Sequence, residues 1–382
     1  MKYANSILRT MNNPKKNTEE LEDRYVRRVQ LTGRGSYIVS IPKHWVDQAG
    51  LAKGGRVEFS RQGNSGLLLT PLELVRFDDG RSRCAITIDS DEKPESVERK
   101  IISLYVVGFS TIEISSKSGS LTAPVREAIR GVARTKLVGT ELVTESSHSA
   151  TLQVLLTYPQ LLVPDALRRM SSIANSMQQD AMQALINSDS EMAKQVIKID
   201  DEIDRFSLYI IRQLKWAVQH LPLLDRIGLT IPVECLGYRI ITKSVERSAD
   251  HASRIAQNSL VIQRKLDAPI LKDTSTLSQI SSNMMETALR ALFSADYQLA
   301  ETVLMNKEKL PEVELKLVER LLRERLPSSE LSALRLISES LRRIGEYATD
   351  IAEVVLNLTI QKSIQQSITS LESHPARSKT TA

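Results

Sequence analysis

The most constraining feature of this chain is a stripe of apolar residues near its end. Leu331, Leu334, Ile337, Leu341, Ile344, Ala348, Ile351, Val355 and Leu358 recur in steps of three and four. Such spacing puts all nine on one side of a single helix, and a seam that long is stable only when other helices cover it. The pattern is helical almost without relief from Pro164 onward, with breaks expected at Leu221 to Pro232 and near Asp267 to Thr274. About six helices follow, and the Ser/Thr-rich residues 361–382 read as a flexible tail.

Within these helices the sequence repeats itself. Ala181 to Asp189 matches Ala288 to Asp296, and Ser244 to Asp250 matches Ser340 to Glu346. The offset changes between the two matches, as it does when the copies differ in a connecting loop. The expected architecture of 165–360 is therefore an all-α bundle of two tandem three-helix units.

The first third of the chain is written differently. Residues 1–22 are polar and irregular and read as disordered. Gly33, Gly35, Gly50, Gly54, Gly55, Gly63 and Gly66 punctuate β-rich segments between 23 and 72. Residues 84–157 alternate as strand, helix, strand, helix, strand, strand, which makes a small α/β middle domain with no converging chemistry and the default role of a spacer. At 382 residues the chain exceeds what one core serves, so several domains are required in any case.

Charge is segregated as well. The net charge is +5, yet residues 1–83 alone carry 15 Lys/Arg against 9 Asp/Glu. A basic head on a nearly neutral body suits one polyanion-binding segment. Between 23 and 72 the excess is 8 against 3, and Arg27, Arg28, Arg34, Lys43, Arg56 and Arg61 are the candidates for DNA phosphates and base edges. Fifty β-rich residues bury too little surface to stand alone, so a homodimer is expected here.

Two carboxylate pairs stand out in the first helical unit. Asp200 and Asp204 are four apart on its second helix, and Glu246 and Asp250 are four apart on its third. Like charges at that spacing repel, and a bound cation would relieve them. All-oxygen ligation suits Mg²⁺, Mn²⁺, Ca²⁺ or iron better than structural zinc. The competing reading is a solvated acidic face paired with Lys198, Arg205 or Arg247. His251 reads as an ordinary surface residue, and Cys84 and Cys235 as core or near-core residues. By the repeat offsets the second unit replaces the four acids with Lys307, Pro311, Arg342 and Glu346, so metal is expected in the first unit only.

Several classes are excluded or disfavoured. There is no glycine-rich phosphate loop, no supported Ser/His/Asp set and no Cys/His metal spacing, so no enzyme activity is expected. Two cysteines do not make a disulfide scaffold, and no run of 18–20 apolar residues or secretory leader is present. The expectation is a cytoplasmic protein without membrane insertion.

Two resemblances sharpen these readings. Residues 23–72, with the Ile41-Pro42-Lys43 turn and the Gly54-x-x-Val57 strand start, resemble the AbrB/SpoVT/MazE-type swapped-hairpin domain, departing from it at Gly55, where the family often has Asp. That resemblance implies two chains interleaved in one barrel with basic residues gripping DNA, or a role confined to dimerisation or to binding a protein. The tandem units with Asp200-x-x-x-Asp204 and Glu246-Arg247-x-x-Asp250 resemble PhoU, the regulator of phosphate uptake. It implies metal clusters on the bundle surface and a regulator of phosphate homeostasis. The alternative it implies is an accessory protein of a phosphate ABC transporter, with the β segment serving only to dimerise.

Overall fold

The computed structural model describes residues 26–33, 35–62, 66–71, 83–89, 91–117, 119–155 and 161–373. They fall into two units, Met1–Asp78 and Asp79–Ala382.

The first unit is made of two hairpins and one turn of helix. β1 (Gln30–Thr32) pairs antiparallel with β2 (Ser36–Ile38), Leu31 lying opposite Tyr37. α1 (Lys43–Gln48) follows, then β3 (Val57–Gln62) paired with β4 (Gly66–Pro71). The hairpins are separate two-stranded sheets, and among the described residues they close no barrel. Gly55 has a packing reason: a Cβ there would lie 3.0 Å from the Ala52 carbonyl oxygen and 3.2 Å from Leu51. An aspartate would not fit without the turn shifting.

The second unit begins with the α/β domain. β5 (Arg83–Ile88), α2 (Pro94–Val107), β6 (Thr111–Ser116), α3 (Ala123–Thr135), β7 (Thr140–Glu145) and β8 (Ser149–Val154) appear in the order the alternation predicts. The sheet order is β5-β6-β8-β7, with β5 parallel to β6 and the other pairs antiparallel. Period-two burial selects one sheet face for the helices: Ile112, Ile114, Ala150 and Leu152 pack with Val97, Ile101 and Tyr105 of α2 and with Val125, Ile129 and Val132 of α3.

The first helical repeat consists of α4 (Val163–Asn187), α5 (Ser190–Gln219) and α6 (Glu234–Ser259). The second consists of α7 (Ala268–Ser294), α8 (Tyr297–Met305), α9 (Lys309–Arg323) and α10 (Ser328–Ser373). The repeated sequence has a structural meaning. Ser188 and Ala295, at matched positions, both turn the chain with left-handed backbones of φ 54° and 51°. Asp189 and Asp296, also matched, then cap the next helix, Asp189 accepting from the Glu191 and Met192 amides at 3.0 Å and Asp296 from the Leu299 amide at 3.0 Å. From Leu334 to Leu358 every residue of the apolar stripe is buried, inside one core that runs through both repeats.

Three expectations are corrected. The second repeat has four helices, because its middle helix breaks between Met305 and Lys309 where the first repeat is continuous. Pro311 is the cause: it cannot donate within a helix, and it sits in the first turn of α9, where no intrahelical donor is needed. The break expected over 267–274 lies earlier, since α7 begins at Ala268 with Pro269 in its first turn. The tail is also not loose throughout. Helix α10 continues to Ser373, while 374–382, like 1–25, lie outside the described residues.

The α/β domain is more than a spacer. Leu208 of α5 packs into its core, and Arg212, one turn on, donates to the carbonyls of Phe109 and Gly108 at 3.0 Å each and to that of Tyr105. The guanidinium thus caps the carbonyl end of α2 and lies over the Tyr105 ring, 4.7 Å from its centre. Arg212→Ala would remove the guanidinium from these partly buried carbonyls and from the Tyr105 ring. We expect a loss of about 2–4 kcal/mol in chemical denaturation, with the α/β domain unfolding ahead of the bundle.

Candidate functional site

The acidic cluster lies between α5 and α6, which pack directly against each other. Asp200 and Asp204 project from one side of α5, and Glu246 and Asp250 from α6. Their mutual influence shows that the four are neighbours. Burial first, then the charges of Asp250, Asp204, Asp201 and Glu246, push the Asp200 carboxyl up to about 7. Burial and the charges of Glu246 and Asp250 push Asp204 up to about 6, against a lowering influence from Lys136. Asp250 is raised by burial and by Glu246, and Lys243, Arg254 and Arg247 oppose the rise.

Lys243 forms the ion pair at this cluster, reaching Glu246 one turn away. Lys198, Arg205 and Arg247 form none with these acids among the described residues, though the charge of Arg247 acts on Asp250. The buried Oε2 atom of Glu246 is the one that Lys243 reaches. In charge and donor type the four carboxylates fit a hard divalent cation. As the side chains stand, no three His, Cys, Asp or Glu groups among the described residues converge to hold one ion.

The α/β domain reaches this same region. Lys136, just past α3, pairs with Glu98 at 3.4 Å while its charge acts on Asp204. Asp200, Asp204, Leu208 and Arg212 recur every four residues along α5, so one face of that helix carries both the carboxylates and the docked domain. No local pattern signals this, because the docking partners are more than a hundred residues apart.

In the second repeat the equivalent positions are built otherwise. Lys307 falls in the helix break and Pro311 starts the next helix. Arg342 on α10 binds Glu314 of α9, Nε to Oε2 at 2.8 Å, and also reaches Glu346, which Arg343 contacts at 2.7 Å. A guanidinium of the protein occupies the position that Glu246 holds in the first repeat.

His251 is not a surface residue. It is 8% exposed, packed against Tyr347 of α10 with ring centres 5.8 Å apart, and burial with Arg254, Arg343 and Arg342 nearby pushes it down to about 4. Neutral at physiological pH, it joins the two repeats. Cys235 is buried and Cys84 half-buried, close to expectation.

The basic candidates of the first unit sit on an unusual background. Arg27, Arg28, Lys43 and Arg56 are exposed; Arg61 lies in β3, paired in register with Leu67; Arg34 lies outside the described residues. The apolar side chains are exposed too. Leu31 is 65% accessible, Tyr37 73%, Phe59 65% and Leu67 71%. Opposed residues of a hairpin share a face, so Val57, Phe59, Leu67 and Leu69 make one side of β3–β4 mainly apolar, with position Arg61 at its end opposite Leu67. Val57 and Leu69 are half-buried, and Phe59 and Leu67 stand open.

Comparison with known proteins agrees with this division. Residues 167–259 and 274–355 match the PhoU domain, and residues 30–77 match the MazE antitoxin family, described as antidote-toxin recognition. A PhoU homolog from Thermotoga maritima, named a phosphate-specific transport system accessory protein, is 23% identical over 56% of this chain and 92% of its own. The protein of the same name from Pseudomonas aeruginosa is 29% identical over 50% of this chain and 80% of its own. The crystal structure of PhoU from Pseudomonas aeruginosa aligns with a TM-score of 0.46 at 22% identity, covering 52% of this chain and 96% of that one.

Proposed function

We propose that this chain, a PhoU domain behind a MazE-like head, is a non-enzymatic DNA-binding regulator of phosphate uptake that works as a homodimer. The observation that carries the reading is the set of exposed apolar side chains among the described residues of the first unit. A hairpin pair with Leu31, Tyr37, Phe59 and Leu67 more than 60% exposed is half of something. A second copy of the same unit would cover those faces, Arg61 with them, and double the basic set Arg27, Arg28, Arg34, Lys43 and Arg56. Two copies presented together suit a duplex, whose phosphates recur on both strands. The names of the relatives supply the phosphate connection, and the helical bundle would report phosphate status.

The cation belongs to this reading. Asp200, Asp204, Glu246 and Asp250 would hold a divalent or iron-type ion, with water completing its shell, and Arg342 would exclude one from the second repeat. No helix among the described residues is long and apolar enough to cross a membrane, so action on a transporter would be by docking. That second reading, a transport accessory protein whose head only dimerises, is favoured by Leu236 and Ile240, exposed on α6, and by Val233 just before it.

Salt separates the two. Arg27→Ala with Arg28→Ala should weaken DNA binding and flatten its dependence on salt by about one unit of slope for each phosphate no longer gripped. The bundle should melt unchanged. Binding and slope that ignore these substitutions would favour the accessory reading.

A further inference from the structure

The two edges of the α/β sheet are not alike. β7, at one edge, carries a bulge between Leu142 and Thr144 and the glutamates Glu141 and Glu145. Such features keep an edge from pairing with another chain. β5, at the other edge, has six regular residues, no bulge, no proline and a single charge, Arg83. Among the described residues no strand lies on its outer side. Beside it runs a groove lined by Ile86, Ser96, Arg99, Lys100, Ser103 and Leu104, so the domain core is open along this edge.

We propose that β5 pairs antiparallel with β5 of a second copy, joining the two four-stranded sheets into one of eight strands. The inference rests on the dimeric reading of the first unit. Eleven residues separate Pro71 at the end of β4 from Arg83 at the start of β5. A tether of that length spans at most about 40 Å. Once two heads interleave, the two β5 edges are held at an effective concentration on the order of millimolar. Antiparallel pairing of a strand with its own copy also preserves the two-fold symmetry that such a head imposes.

Symmetry fixes the form of the test. Opposed residues must point to the same face, so one residue of β5 sits directly opposite itself. Its Cβ atoms would lie about 4.5–5.5 Å apart, whereas a residue two positions away is offset from its own copy by about 13 Å. The full chain would be examined with its native Cys84, then with Cys84→Ser carrying Arg83→Cys, Ala85→Cys, Ile86→Cys or Thr87→Cys singly. Cys235, 3% exposed, stays in place. Native mass is measured by light scattering, then mild oxidation is followed by non-reducing electrophoresis.

The pairing predicts a dimer whose cross-linking peaks at one position and falls at least about tenfold two residues away, as the geometry of a disulfide requires. A dimer of native mass with no peak along β5 would overturn the strand pairing and leave the dimeric head standing. A monomer by light scattering would overturn the dimeric head, and the pairing with it.

Discussion

Phe59→Asp combined with Leu67→Asp will convert the chain to a monomer and lower its affinity for DNA at least about a hundredfold. Both residues lie on the apolar side of the β3–β4 hairpin, exposed in the single chain. Covering a large apolar side chain contributes about 1.5–3 kcal/mol, and the first unit has several such side chains with no cover of their own. Two aspartates on that side would instead have to be buried as charges, which a partner copy cannot accommodate. Binding through one copy forgoes the avidity of two. Because the helical repeats have a separate core, their melting temperature should not move. Light scattering and a DNA-binding titration on the same preparation decide the matter. A double variant that stays dimeric would place the interface between copies elsewhere.

Asp200→Asn with Glu246→Gln will abolish stabilisation of the bundle by Mn²⁺, read as the shift in melting temperature on adding the ion. The expected drop in affinity exceeds the roughly 10–100-fold that follows loss of a mere outer-shell partner. The pH dependence has a definite sign. Asp200 and Asp204 are raised in the folded chain, to about 7 and about 6, above an unfolded value near 4. Their contribution to stability without metal is therefore complete below about pH 4 and is lost as pH rises through 6 to 7. Protons and cations compete for the same oxygens, so Mn²⁺ should stabilise most above pH 7 and lose its effect towards pH 5.5. Stabilisation that persists in the double variant would assign the ion to other ligands.

How much of this was legible in the sequence varies with the range of the interaction. The stripe from Leu331 to Leu358 announced a buried helix because period and burial are one property read twice. The α/β order was legible for the same reason, each strand alternating and each helix bounded by Pro94 or Pro124, or by Gly108. The matched Asp189 and Asp296 were visible as a repeat, though not as helix caps. Pro311 aligns with Asp204 in the repeat, but that alignment does not by itself show that the proline splits the helix.

Contacts between distant segments were not legible. Arg212 shows no local pattern that ties it to Phe109, and His251 looks like any polar residue until Tyr347 arrives from the other repeat. In the acidic cluster the spacing put each pair on one face. That α5 and α6 bring the pairs together, with Lys243 rather than Arg247 answering Glu246, needed the packed helices.

A dimeric head that reads DNA would select defined fragments from genomic DNA when the purified chain is offered them across a series of salt concentrations. The expected result is enrichment of defined sites and a log affinity that falls steeply and linearly with the logarithm of salt, with a slope set by the basic residues of both copies. No enrichment at any salt, or weak binding indifferent to salt, would contradict it.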